Sequence, residues 1–162
     1  VPMKSMEDLF LHGLQDIYMA EKRILQNLPK MAKKVQTSEL KQALERHQTE
    51  TQQQVQRLEE VFKMIGQKPK GIECKAIDGI IGEAQDMMQE IEDEDVRDAA
   101  ILADAQAVEH YEITRYGTLT AWAKELGHDD AAALLHQTLE EEKRTDEMLS
   151  KMAKQKVNKA AA

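Results

Sequence analysis

LADAQAVEHYEITRYGTLTAWA, residues 102–123, decides the fold. Leu102, Gln106, Glu109, Glu112, Tyr116, Leu119 and Ala123 recur every three or four residues. That period belongs to one face of an α-helix, and strand alternation is absent. The face is apolar at both ends and carries two glutamates in its middle. Composition supports helices throughout. Only 7 Gly and 3 Pro among 162 residues supply little turn chemistry, and aromatic residues at 4% argue against a β-rich core. Hydrophobic residues at 41% and charged residues at 32% suit long amphipathic helices and exceed what a disordered chain carries.

Outward from this stretch the chain divides into four long helices. The quoted one is expected over about 96–126, between the acidic run Glu92-Asp93-Glu94-Asp95 and the stop at Gly127. Another follows over about 129–157. Upstream, residues 5–36 start at a Ser5/Asp8 capping pair and carry Phe10, Leu14, Ile17, Ile24, Leu28 and Met31 on one face, with Pro29 bending the axis. Residues 38–65 follow, with Leu40, Leu44, Leu58, Val61 and Ile65 on a stripe and Gly66 as the stop. A shorter helix over about 74–91 lies in the connection between the second and third long helices. Short links make each pair an antiparallel hairpin, and the long link can cross a bundle whose helices are about 45 Å long. The expected fold is all-α, a single domain over 1–162: a ferritin-like antiparallel four-helix bundle of two hairpins with a helix-bearing crossover. Aligning Glu21 with Glu112 superposes Leu28 on Leu119, Ala32 on Ala123, Leu44 on Leu135 and Leu58 on Leu149, which hints at an internal duplication. Gly117 is expected to mark a close helix approach.

The net charge is −8. An acidic surface repels phosphate backbones, so nucleic acid is a poor partner. No apolar run approaches the roughly 20 residues of a membrane span, and the absence of a basic-then-apolar leader fits a cytoplasmic protein. The single Cys74 forms no intramolecular disulfide and no CxxC zinc site.

The informative residues are acids on apolar stripes. Glu21 lies between Ile17 and Ile24, Glu50 between His47 and Gln54, Glu109 and Glu112 between Gln106 and Tyr116, and Glu142 and Asp146 between Leu139 and Leu149. Antiparallel pairing brings them toward one layer. Burying an unpaired carboxylate costs several kcal/mol, and like charges raise one another's pKa. A pair of divalent cations would offset both, and carboxylate-rich sites suit iron, manganese or magnesium. Two rival explanations stand beside this one. The acids lie on solvated faces, or they form internal ion pairs with Lys22, Arg115 or Lys143. His47 points roughly the same way as Glu50 and is read as a hydrogen-bonded core residue, a ligand, or a group supporting one. Tyr18, Tyr111 and Tyr116 are near the acids in sequence and are read as core residues with satisfied hydroxyls. The only Glu-x-x-His, Glu125 to His128, straddles the Gly127 stop and is taken as coincidence.

Several motifs together resemble a known family. Asp16-x-Tyr18-x-Ala20-Glu21-Lys22, His47-x-x-Glu50-Thr51, Val108-Glu109-His110-Tyr111-Glu112, Tyr116-Gly117-Thr118-Leu119 and the 138–146 run TLEEEKRTD stand in order. They are similar to the bacterial YciF/YciE family of ferritin-like proteins, over about residues 3–157. The resemblance implies a homodimer related to rubrerythrin and bacterioferritin, associated with stress response, and holding two metal ions, iron foremost and manganese second. It implies ligands at Glu21, Glu50, Glu109, Glu112 and Glu142, with Asp146 or Gln54 replacing the histidines that rubrerythrin-like sites carry and that Gln53 and Thr145 occupy here. The expected chemistry is an oxidation linked to a small oxidant, oxygen or peroxide. The alternative is a non-enzymatic structural or interaction protein of the stress response.

Overall fold

The structure, a computed structural model, describes residues 2–162. Its elements are α1 (Met6–Lys34), α2 (Ser38–Met64), α3 (Lys75–Glu90), α4 (Glu94–Glu125), α5 (Asp129–Met152), a π-helical turn over Ala153–Val157, and a final short α6 (Asn158–Ala161). No strand occurs among the described residues. α1 pairs with α2 and α4 with α5, and the hairpins meet through α1–α4 and α2–α5. The crossover helix α3 lies outside this square, against α1 and α4. This is the ferritin-like helical bundle with an added crossover helix.

Local chemistry fixes the ends. α1 opens on a reciprocal capping box: Ser5 Oγ accepts from the Asp8 amide at 3.1 Å, and Asp8 Oδ2 accepts from the Ser5 amide at 3.0 Å. Pro29 sits inside α1 without ending it. Gly66 (φ 69°) and Gly127 (φ 76°) close α2 and α4 in the left-handed conformation. After each, the next amide reaches back five residues, Gln67 to the Phe62 carbonyl at 2.9 Å and His128 to Ala123 at 2.8 Å. α4 begins at Glu94, two residues before the hydrophobic pattern does, because the Asp93 side chain caps the Val96 amide at 3.0 Å.

The turn between α1 and α2 is held from the other hairpin. Asp98 of α4 is 1% exposed and accepts from the Gln36 amide at 3.0 Å and the Thr37 amide at 2.7 Å. These donors at the start of α2 have no partner in their own helix.

Around the site the core is aliphatic, with Leu14, Ile17, Leu44, Leu58, Leu102, Leu119, Leu135 and Leu149 all buried. The pairs matched by the internal repeat take equivalent places: Leu28 with Leu119, Ala32 with Ala123, Leu44 with Leu135 and Leu58 with Leu149 are all inside. Gly117 does not mark a close approach, since a Cβ there would meet nothing within 4 Å. The tight contact is at Gly13, whose Cβ would fall 2.8 Å from Leu119 Cδ2. The π-helical turn follows from Leu149, Ala153 and Val157, all buried at a spacing of four. That spacing drifts around a 3.6-residue helix, and a wider turn takes the drift back. No helix among the described residues is long and apolar enough to cross a membrane.

Candidate metal centre

Each long helix contributes to one buried polar layer. α1 contributes Glu21, α2 His47 and Gln54, α4 Glu109 and Glu112, and α5 Glu142. The four glutamates are 0% exposed and His47 is 3% exposed. One ligand atom from each of His47, Glu109, Glu112 and Glu142 lies within 4.8 Å of the others. His47 Nε2 is 2.9 Å from Glu109 Oε1 and 3.8 Å from Glu142 Oε2. The 2.9 Å approach is close, but its alignment makes no hydrogen bond.

Neither rival to a clustered core survives for these residues. They are not solvated, and among the described residues no Lys or Arg comes within 4 Å of their carboxylates. Lys22 lies over the Tyr18 ring, Arg115 over the Tyr111 ring, and Lys143 pairs with Glu140 at 3.0 Å. Both oxygens of Glu109 and of Glu112, Oε2 of Glu21 and of Glu142, Nε2 of His47 and Oε1 of Gln54 are buried without a hydrogen-bond partner. Native cores hold very few such groups, because each carries a desolvation penalty of about 1–3 kcal/mol or more. Here they converge on one spot.

The electrostatics follow from the crowding. Burial, then the charge of Glu142, pushes Glu21 up to about 8. Burial, and again Glu142, raises Glu109 and Glu112 well above the usual carboxylate range. Burial pushes Glu142 upward too, but the adjacent Glu109, Glu112 and His47 and the Gln54 amide outweigh it and hold the group low. The crowding therefore favours the charged form at Glu142 and disfavours it at Glu21, Glu109 and Glu112. Two side chains orient the ligands. Tyr116 Oη donates to Glu21 Oε1 at 2.6 Å, and Gln54 Nε2 donates to Glu142 Oε1.

Two sequence-derived acids stand at the edge of this layer. Glu50 is half-buried, and its Oε2 accepts from Thr145 Oγ1 at 3.4 Å. The inward slots of α2 belong instead to His47, Thr51 and Gln54. Asp146 is partly exposed and takes His110 Nε2 at 3.1 Å and Gln106 Nε2 at 3.2 Å. The motif placed His47 near the site, but spacing alone did not separate a ligand from a core histidine. Gln54 carried no signal, since a glutamine on a polar helix is ordinary. His128, of the Glu-x-x-His match, stacks on Phe10 and meets Glu7 at 3.0 Å, far from the layer in sequence and role.

A ferritin-like bundle whose core brings a histidine and glutamates together, able to chelate metal, defines the class of protein. The family model described as "Domain of unknown function (DUF892)" matches residues 5–162, and the chain belongs to that family, the YciF/YciE ferritin-like proteins. It is 45% identical to Protein YciF of Escherichia coli (strain K12) over 160 residues, 98% of this chain and 96% of that one. Among solved structures it is similar to one described as YcfI, a putative structural protein from Rhodopseudomonas palustris. That match has 56% identity and TM-score 0.90, covering 91% of this chain and 94% of the other. It is also similar to the E. coli stress protein YciF, with TM-score 0.92 over 97% and 99% of the two chains. A Xanthomonas campestris protein at 23% identity and TM-score 0.78 shares the fold.

Proposed function

We propose that this protein binds two divalent metal ions, iron or manganese, in the bundle core. The observation that carries this reading is the convergence of unpartnered, fully buried ligand atoms from all four long helices. The donor set fits the group. It is rich in carboxylate oxygen with one imidazole, which suits iron and manganese better than softer ions. His47, Glu109, Glu112 and Glu142 would hold one ion. Glu21 and Gln54 would serve the second. Glu50 and Asp146 would border the pair, held by Thr145 and by His110 and Gln106.

When bound, such a pair supplies oxidation chemistry linked to oxygen or peroxide. The chain's own contribution is preparatory. Tyr116 fixes one oxygen of Glu21 and leaves the other free. Gln54 does the same for Glu142. The aliphatic layers above and below exclude water. Glu109 and Glu112 release protons as metal enters, so uptake strengthens as pH rises. The E. coli relative, described as a stress protein, supports a role in stress response; the homodimer remains what the family resemblance implies.

A second reading treats the layer as a proton-sharing core of a non-enzymatic structural protein. The Rhodopseudomonas relative, described as a putative structural protein, favours it, as do the raised Glu21, Glu109 and Glu112. Metal analysis separates the two. Protein purified without chelator and titrated with Fe(II) or Mn(II) should take up close to two ions per chain. Uptake below about half an ion, with no gain in stability, leaves only the structural reading.

A further inference from the structure

The crossover helix does not close tightly on the bundle. Between α3, α1 and α4 lies a cavity of about 500 Å3, within the roughly 300–1,000 Å3 of small-molecule sites. Its walls are mostly aliphatic, with Met31, Ile80, Ile81, Ala84, Met88 and Val108 the main surfaces. Only Ile77 of α3 is fully buried, so the rest of that apolar side faces the cavity half-covered. Lys33 and Lys34, three and four residues after Lys30 on α1, form with it an exposed cationic rim. Among the described residues none of the three has a carboxylate within 4 Å, although the chain is acidic overall.

A second void lies beyond the inner wall of the cavity. It is smaller, about 20 Å3, and shares Asn27, Met31, Ile81 and Val108 with the cavity as a common wall. The far side of that void is formed by Leu28, Ala105 and His47. Asn27, Met31, Ile81 and Val108 therefore stand as a thin wall between the chamber and a void that borders His47. The aliphatic walls of the chamber are unsuited to a hydrated cation, because they offer nothing in place of the hydration shell. Asp104 is the one carboxylate of the chamber, on the α4 wall opposite the lysines, with Oδ2 buried and unpartnered. It repels an anionic head from that wall and leaves the lysine rim as the place for one.

We propose that the chamber binds an amphipathic aliphatic anion, with its carboxylate at Lys30, Lys33 and Lys34 and its chain along the aliphatic walls that α3 and α4 provide. Binding in the chamber does not itself need metal.

The experiment is calorimetric titration of the full chain with dodecanoate, in metal-free and in manganese-loaded protein. Both should bind one molecule per chain. Ala84→Trp, which fills the chamber from a half-buried position, should weaken binding by about tenfold or more. Replacing Lys30, Lys33 and Lys34 together with Ser should also weaken it by about tenfold, and should abolish the preference for dodecanoate over dodecanol. Manganese uptake and thermal midpoint, measured on each variant, should match the parent protein. Absence of dodecanoate binding, equal affinity for dodecanol in the parent protein, or an Ala84→Trp variant that binds normally overturns the proposal. So does an Ala84→Trp variant that changes from dimer to monomer with dodecanoate affinity intact, since the face would then be a subunit interface. Loss of manganese uptake with intact dodecanoate binding defeats the metal reading and leaves the chamber standing.

Discussion

Asp98 and Glu112 are carboxylates on the same helix, both buried, fourteen residues apart. Asp98 spends both oxygens on backbone amides of another hairpin. Glu112 has neither oxygen partnered, and neither has Glu109 beside it. The first arrangement satisfies the chain by itself. The second leaves buried acceptors for which the chain supplies no donor. Burial alone thus says little about an acid's task; what its oxygens touch says nearly all of it.

The sharpest way to break this contrast is to add metal. With free Fe(II) or Mn(II) about a thousandfold above its dissociation constant, stability should rise by about 4 kcal/mol, seen as roughly 8–16 °C in the melting midpoint. EDTA should reverse it. Next in size is Asp98→Ala. It strands two amides and should cost about 2–4 kcal/mol in urea unfolding, with the metal-induced gain unchanged. Glu109→Gln with Glu112→Gln should do the opposite. The metal-free variant should gain about 1–2 kcal/mol, while metal stabilisation disappears.

A pH scan sharpens the same point. Glu21 is raised from 4.5 in a free chain to about 8 in the fold. The unfolded chain therefore loses its proton first as pH increases. The contribution of this group is full below about pH 4.5 and is lost as pH climbs through about 8. Metal-free protein should denature more readily at pH 8 than at pH 5, and Glu21→Gln should flatten that slope. The smallest effect belongs to Glu50→Gln. It meets only a 3.4 Å hydroxyl contact at the edge of the layer, so its stability should stay within about 0.5 kcal/mol of the parent.

The helices and their pairing were legible in the residues because the signals are local. Ser5 and Asp8, Gly66, Gly127 and the three-and-four spacing of Leu and Ile each act within a turn or two. The inward direction of Glu21, Glu109, Glu112 and Glu142 was legible for the same reason. Glu50 was harder, since His47, Thr51 and Gln54 occupy the inner slots of α2, and a rotation of less than one residue decides which acid turns in. Gly117 and Gly13 show the same limit. Which glycine lets two helices touch depends on the facing side chain, here Leu119, and that is a fact about two helices at once.

The Asp98 clasp bears also on the order in which the molecule assembles. Each hairpin closes through contacts near in sequence, which form quickly. The clasp spans 62 positions to Gln36 and exists only once the hairpins have docked. An interaction made that late leaves the rate of folding nearly untouched and acts on the rate of opening. Removing it should shorten the lifetime of the native bundle while the chain still finds its fold at the same speed.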